Sequence, residues 1–274
     1  MELNLLERGH AIMNFFDSHS HYNDEKFDTD REEIIEKTFE DGITKFICAG
    51  YDLESSEKSL KIANKYENIY SIVGISPNDV PESEQDISKL LDELVKIINE
   101  DVNKKIVAIG EIGLDYYWNK ENKEIQKEMF KLQIEIANKC NLPIVIHTRE
   151  AVDDTLKILK ENSVANKGIF HCCPLNRELV KEGLRLGFYI SFAGPITFKN
   201  SKNAEEVVSM VPIEKILIET DSPYLAPEPK RGTRNDSRNV KLVAQKVAEI
   251  KGLTLEEVGN QTYNNAMDIF NIKK

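Results

Sequence analysis

The sequence has no long hydrophobic run. Its 274 residues contain nothing that approaches the roughly 18 to 20 apolar residues of a membrane span. Residues 1–12 carry Glu2, Glu7, Arg8 and His10, where a secretory signal needs a basic start and an apolar core. Cysteine is scarce: Cys48, Cys140, Cys172 and Cys173 are the four present, and none forms a C-x-x-C. That excludes a disulfide-stapled secreted scaffold and points to a reducing, cytoplasmic compartment. Cys172 and Cys173 directly follow His171, which raises a ligand role; two small residues finishing a buried strand is the preferred reading. Glycine (13) and proline (9) are too few for a linker-rich or collagen-like chain. Positive charge is the last deficit. Lys and Arg number 36 against 47 Asp and Glu, a formal net charge of −11. This excludes a protein that coats nucleic acid non-specifically, because phosphate binding needs clustered cations. It leaves open an enzyme with one local site for a polyanion.

What is present is a globular composition, 41% hydrophobic and 30% charged. Short β-rich runs alternate with charged stretches of helical period. Strands are expected near Asn14–Asp17, Lys45–Gly50, Ile69–Ile75, Ile106–Glu111, Ile144–His147, Gly168–His171, Phe188–Phe192 and Lys215–Glu219. Thr29-x-x-Glu32 and Thr254-x-x-Glu257 read as capping boxes. Ile125, Met129, Leu132, Ile136 and Cys140 recur at steps of four and three, one buried helical face. Eight strand–helix units in this length predict an α/β fold, a single-domain TIM (β/α)8 barrel. An open dinucleotide-binding sheet would want a Gly-rich turn after strand one, and Ser18-His19-Ser20-His21 stands there instead. Met13 opens the first strand segment. Residues 1–12 are therefore expected to be an N-terminal extension, with Met13 an alternative initiator, and 13–274 the (β/α)8 domain.

The chain has five histidines, and four of them fall at strand ends. His19 and His21 are two apart, and that spacing puts both side chains on one face of extended backbone. His147 ends strand five and His171 strand six; Glu111 ends strand four and Asp221 follows strand eight. Strand C-termini converge on one mouth of a barrel, where catalytic groups collect. Six N and O ligands exceed what one zinc takes, and suit two divalent ions sharing a carboxylate. His10 has no such placement. Asp17 shares the strand face of His19, where it either joins the ligands or orients a histidine.

The motifs Phe16-Asp17-Ser18-His19-Ser20-His21, Gly110-Glu111-Ile112-Gly113-Leu114-Asp115-Tyr116-Tyr117, Ile146-His147-Thr148-Arg149, Phe170-His171-Cys172 and Glu219-Thr220-Asp221-Ser222-Pro223-Tyr224 carry a resemblance. Arg231-Gly232-x-Arg234-Asn235 and Asn264-Asn265-Ala266 add to it. With this order and spacing, the chain resembles the TatD-type metal-dependent deoxyribonucleases among the amidohydrolase-like barrels. The resemblance implies that His19, His21 and Asp221 hold one ion, that His147 and His171 hold a second, and that Glu111 bridges them. It implies two divalent ions, Mg, Mn or Zn, that lower the pKa of a water attacking phosphorus. Asp221, with Glu111 the second catalytic carboxylate, would take or steer that proton. Three positions depart from the pattern. The usual Gly-x-His-Pro-His after strand three is Gly74-Ile75-Ser76-Pro77-Asn78, Phe-Ser-Gly after the strand-six histidine is Cys172-Cys173-Pro174, and a common proline is Ser237. The first departure should alter rate or substrate choice more than metal binding.

DNA is the expected partner, as single strands or ends, with no membrane and no obligate protein partner. Two ions bring +4 and two carboxylates −2, so the site core is about +2 in a chain of net negative charge. Arg149, Arg231 and Arg234, with Lys230 and Arg238, are candidate phosphate grips, or the 230–238 run is a solvated loop. Tyr116, Tyr117, Trp118 and Tyr224 either stack on unpaired bases or wall the pocket. The competing expectation keeps the site and changes the bond: an ester or amide hydrolase such as a D-aminoacyl-tRNA deacylase. Glu111, where many amidohydrolase barrels carry a carboxylated lysine, favours the nuclease.

Overall fold

The computed structural model describes residues 13–273. The extension expected over residues 1–12 lies outside the described residues. Eight parallel strands stand in the order of the sequence: β1 (Phe15–Ser20), β2 (Ile43–Ala49), β3 (Ile69–Val73), β4 (Ile106–Asp115), β5 (Ile144–Arg149), β6 (Gly168–Phe170), β7 (Tyr189–Phe192) and β8 (Ile216–Ile218). Helices α1 (Arg31–Glu40), α2 (Leu53–Lys65), α3 (Glu84–Asn99), α4 (Lys123–Cys140), α5 (Val152–Glu161), α6 (Arg177–Arg185) and α7 (Ala204–Met210) follow β1 to β7 in turn. After β8 come α8 (Val240–Lys251) and α9 (Leu255–Ile269). Among the described residues no helix is long and apolar enough to cross a membrane.

Alternation along each strand divides the core. Phe16, Ile47, Ile72, Ala108, Val145, Ile169 and Leu217 fill the barrel and pack on Ala266 and Met267 of α9 and on Phe270 just after it. Their neighbours of opposite parity, including Val73, Ile109, Ile144, Phe170, Ile190 and Ile216, pack against the helices. The barrel closes between β1 and the segment after β8. Asp221 N–H donates to His19 O (2.9 Å) and His21 N–H to Ser222 O (2.6 Å). One level down, the Asp17 carboxylate stands in for a ladder carbonyl: Oδ1 accepts from Thr220 N–H at 2.9 Å. The seam that closes the barrel thus carries three of the expected ligands.

Several sequence expectations shift. β1 does not stop at Asp17; pairing of Ser20 with Cys48 carries it past His19. β4 runs on to Asp115 because Gly113 and Asp115 pair with His147 and Arg149. β6 and β8 are shorter than expected, and His171 and Asp221 stand one and three residues beyond them. The Thr254–Glu257 capping box forms, but the one at Thr29–Glu32 does not: α1 starts at Arg31. The Asp30 carboxylate is taken by Arg234 and Glu32 pairs with Lys65. On α4 the most buried stripe includes Gln126 and Gln133, while Ile125, Leu132 and Cys140 flank it half-buried.

The Gly110-Glu111-Ile112-Gly113 motif has a steric cause. Gly113 has φ +134, and a Cβ there would lie 2.0 Å from His147 O. A Cβ on Gly110 would lie 2.7 Å from the Val145 Cβ. The glycines let β4 approach β5 closely enough to set Glu111 beside His147. Gly113→Ala should therefore lower unfolding stability by about 3 kcal/mol or more, read as a drop in the urea midpoint. A midpoint equal to wild type would contradict this packing.

Candidate metal centre

His19, His21, Glu111, His147, His171 and Asp221 meet at the C-terminal mouth. Glu111 divides its carboxylate between two pairs of imidazoles. Oε1 lies 2.8 Å from His147 Nδ1 and 3.1 Å from His171 Nε2. Oε2 lies 3.5 Å from His19 Nε2 and 3.9 Å from His21 Nε2. Asp221, placed by a left-handed backbone (φ +54) that Asp tolerates, sets Oδ1 3.2 Å from His21 Nε2 and 3.8 Å from His19 Nε2. Three groupings of ligand atoms, each within 4.8 Å, can hold an ion: His19, His21 and Glu111; Glu111, His147 and His171; His19, His171 and Asp221. His19, Glu111 and His171 each belong to two of these groupings.

The far side of each ring decides what the near side offers. His21 Nδ1–H donates to Ala49 O at 3.0 Å, His147 Nε2 is 2.9 Å from Asp115 Oδ2, and His171 Nδ1 is 3.3 Å from Glu219 Oε1. Each acceptor holds the proton on that nitrogen and leaves the other a lone pair aimed into the site. Those lone pairs crowd one another: the two Nε2 atoms of His19 and His21 are 3.2 Å apart, and His147 Nδ1 and His171 Nε2 are 3.4 Å apart. His19 Nδ1 is buried with no partner among the described residues. Facing lone pairs around shared carboxylate oxygens fit divalent cations. Without ions, protons take those places. Burial opposes ionisation of the Glu111 carboxyl, but the charge of His171 and hydrogen bonds from three histidines hold it well below its usual range. Burial likewise opposes a charged His171, yet Glu111 and Glu219 hold it well above. Burial and the neighbouring His171 push His19 down.

The site opens into a cleft of about 810 Å³. Arg149, Trp118 and Tyr224 line it, with Ser76, Asn78 and Asp79 from the loop after β3. The other expected substrate contacts lie elsewhere. Tyr116 is buried, its hydroxyl donates to Asp154 at 2.7 Å and Lys123 sits over its ring. A register shift between Ile109 and Ile112 reverses the parity of β4, so Glu111, Gly113 and Asp115 face the interior while Ile112 and Leu114 pack on the helices, and Tyr116 follows on that outer face against α4 and α5. Arg234 forms a bidentate pair with Asp30, at 2.9 and 2.5 Å, and does not line the cleft. Arg231 is exposed with its guanidinium 4.2 Å from the Phe198 ring, also outside the cleft lining. Among the described residues no hydrogen bond or ion pair joins Asp17 to an imidazole; its Oδ1 accepts instead from the His19 backbone N–H at 3.4 Å. Besides Thr220 N–H the carboxylate accepts from the Thr220 and Ser237 hydroxyls, both at 2.5 Å, and burial raises its pKa to about 7 against those bonds.

The family model described as TatD related DNase matches residues 16–271. The chain belongs to the TatD family. It is 42% identical to the uncharacterized metal-dependent hydrolase YabD of Bacillus subtilis, over 94% of this chain and 99% of that one. The human protein named deoxyribonuclease TATDN3 is 30% identical over 95% and 96% of the two chains. The crystal structure of YJJV, a TatD homologue from Escherichia coli, superposes with a TM-score of 0.89 at 25% identity, covering 96% of this chain and all of that one. This TatD-family chain is accordingly a metal-dependent hydrolase on a TIM barrel.

Several residues that build this TatD site were not singled out by the sequence reading. Asp115 and Glu219 carry a signal: Asp115 stands four residues after Glu111 on the same face of β4, and Glu219 stands two residues before Asp221. Gln126 and Gln133 carry none, because a polar residue in a helix reads as solvent-facing. In the structure Gln126 accepts from Asp115 N–H (2.8 Å) and donates to Asp115 O (3.1 Å). Gln133 does the same for Ile75, at 2.8 and 3.0 Å. Two turns of α4 thus grip the backbones of the loops after β4 and β3. Asp115→Ala should cut divalent-ion affinity about 10- to 100-fold by freeing the His147 ring. Calorimetric titration of the metal-depleted protein checks this, and an unchanged affinity would contradict the orienting role.

Proposed function

We propose that this TatD-family chain hydrolyses phosphodiester bonds of DNA, in single strands or at strand ends, with two divalent ions shared across Glu111. The division of the Glu111 oxygens between two histidine pairs carries the proposal. That division would let the one carboxylate serve both histidine pairs, as residues holding two divalent ions would require. The family model's description and the name of the human relative support a nucleic-acid substrate.

Bound divalent ions supply Lewis acidity toward the phosphoryl oxygens and acidify a water. Zn²⁺ suits four imidazoles best, and Mn²⁺ or Mg²⁺ the carboxylates. The chain's own residues do the rest. Burial opposes an ionised Asp221, but His21 with the neighbouring imidazoles holds its carboxyl below its usual range. An ionised carboxylate on the cleft wall accepts the proton of the attacking water. Arg149 is the one Lys or Arg among the described residues that line the cleft, and it grips a phosphate oxygen. One cation leaves few phosphate contacts, which favours ends and short strands over long duplex. On the β3 side, Ser76 donates to Asp79 at 2.6 Å and Asn78 reaches Asp115 at 3.5 Å. That wall is acidic where the family pattern carries imidazoles, so it repels phosphate and leaves the grip to Arg149 and the ions.

Metal-depleted protein reloaded with Mg²⁺, Mn²⁺ or Zn²⁺ is the test, on end-labelled single- and double-stranded DNA. Ion-dependent cleavage, faster on single strands, is expected, and Asp221→Asn should lower kcat by about 100-fold or more. No cleavage with any of the three ions, alongside turnover of D-aminoacyl-tRNA, would reassign the site to an ester or amide.

A further inference from the structure

We propose that Trp118, Tyr117 and Arg149 form a stacking subsite for an unpaired nucleobase on the rim of the cleft. The proposal rests on the nucleic-acid reading and adds to it a binding position and a ligand class. Trp118 is 68% exposed and Tyr117 44% exposed, the first two large aromatic surfaces beyond β4. Their rings meet edge to face, 4.8 Å apart at 87°. The Arg149 guanidinium lies 3.8 Å over the Tyr117 ring and 5.5 Å from that of Trp118. Arg149 forms no ion pair with a carboxylate among the described residues, so its charge is free for a nucleotide. An exposed indole beside a planar cation presents two flat faces, and every base has a π-face to match them.

Position is the second argument. Tyr117 N–H and Trp118 N–H both donate to Asp115 Oδ1, at 2.9 and 3.0 Å. Asp115 Oδ2 holds His147 at 2.9 Å. One buried carboxylate therefore ties the aromatic turn to the metal centre. Arg149 faces Asp115 across the β4–β5 register, two residues beyond His147. A base stacked here is held at a fixed offset from the phosphate at the ions, which measures the substrate strand from its bases as well as its backbone.

Trp118 is the only tryptophan in the chain, so its fluorescence reports on the subsite directly. The metal-loaded protein is titrated with short single-stranded phosphorothioate oligonucleotides, one with normal bases and one built of abasic tetrahydrofuran units. Anisotropy of a terminal dye measures binding independently. The normal oligonucleotide should quench Trp118 strongly and the abasic one little. Trp118→Ala should weaken normal over abasic binding by a further factor of about 10, and Trp118→Phe should restore most of it. Binding seen by anisotropy with equal quenching by both oligonucleotides would overturn the subsite and leave the nuclease reading standing. So would an equal loss on both in Trp118→Ala. No binding of either oligonucleotide would overturn the subsite and the nucleic-acid reading together.

Discussion

The structure turns on one buried carboxylate. Glu111 sits at the barrel mouth with four imidazoles around it, each within 4 Å of one of its oxygens. A carboxylate taken out of water costs several kcal/mol unless cations and hydrogen bonds surround it. The surrounding structure answers that demand. Glycines at 110 and 113 let β4 lie close to β5 and bring His147 against Glu111. The β1–β8 seam supplies His19, His21 and Asp221 through the same backbone hydrogen bonds that close the barrel. Asp115, Glu219 and Ala49 O fix three rings from behind. Closing the fold and assembling the ligands are one event.

That centre is what would let a chain with a net charge of −11 act on the proposed polyanionic substrate. The basic residues after β8 are largely committed within the protein. Arg234 pins its loop to Asp30 and Arg238 pairs with Asp236 at 2.8 Å. With ions bound, positive potential would be concentrated at the candidate ligand cluster and at Arg149, and would fall off over the rest of the surface within a Debye length of about 10 Å at 0.1 M salt. Such a field would suit the proposed grip on one or two phosphates better than a long duplex lying across the acidic exterior.

The fold and the clustering of the candidate ligands were largely legible in the sequence. Eight β-rich runs alternating with helical periods give the barrel, and histidines and acids at run ends mark its mouth. Residues that act through backbone were not legible. Gln126 and Gln133 pair with Asp115 and Ile75 as a neighbouring strand would, a role with no pattern in the chain. The Thr29–Glu32 box failed because Asp30 and Glu32 had partners distant in sequence, Arg234 and Lys65. Tyr116 was taken with its aromatic neighbours as a substrate contact, although strand parity turns it away from Asp115 and under α4 and α5. Motif adjacency identified the site; alternation decided which members of a motif face it.

Glu111 is proposed to hold two ions at once. The most direct measurement is the number of divalent ions per chain at saturating free metal, by elemental analysis of wild type and Glu111→Ala with folding checked by circular dichroism. The shared carboxylate predicts two ions per chain in wild type and no more than one in a folded Glu111→Ala. One ion in wild type, or two retained in the folded variant, would contradict it.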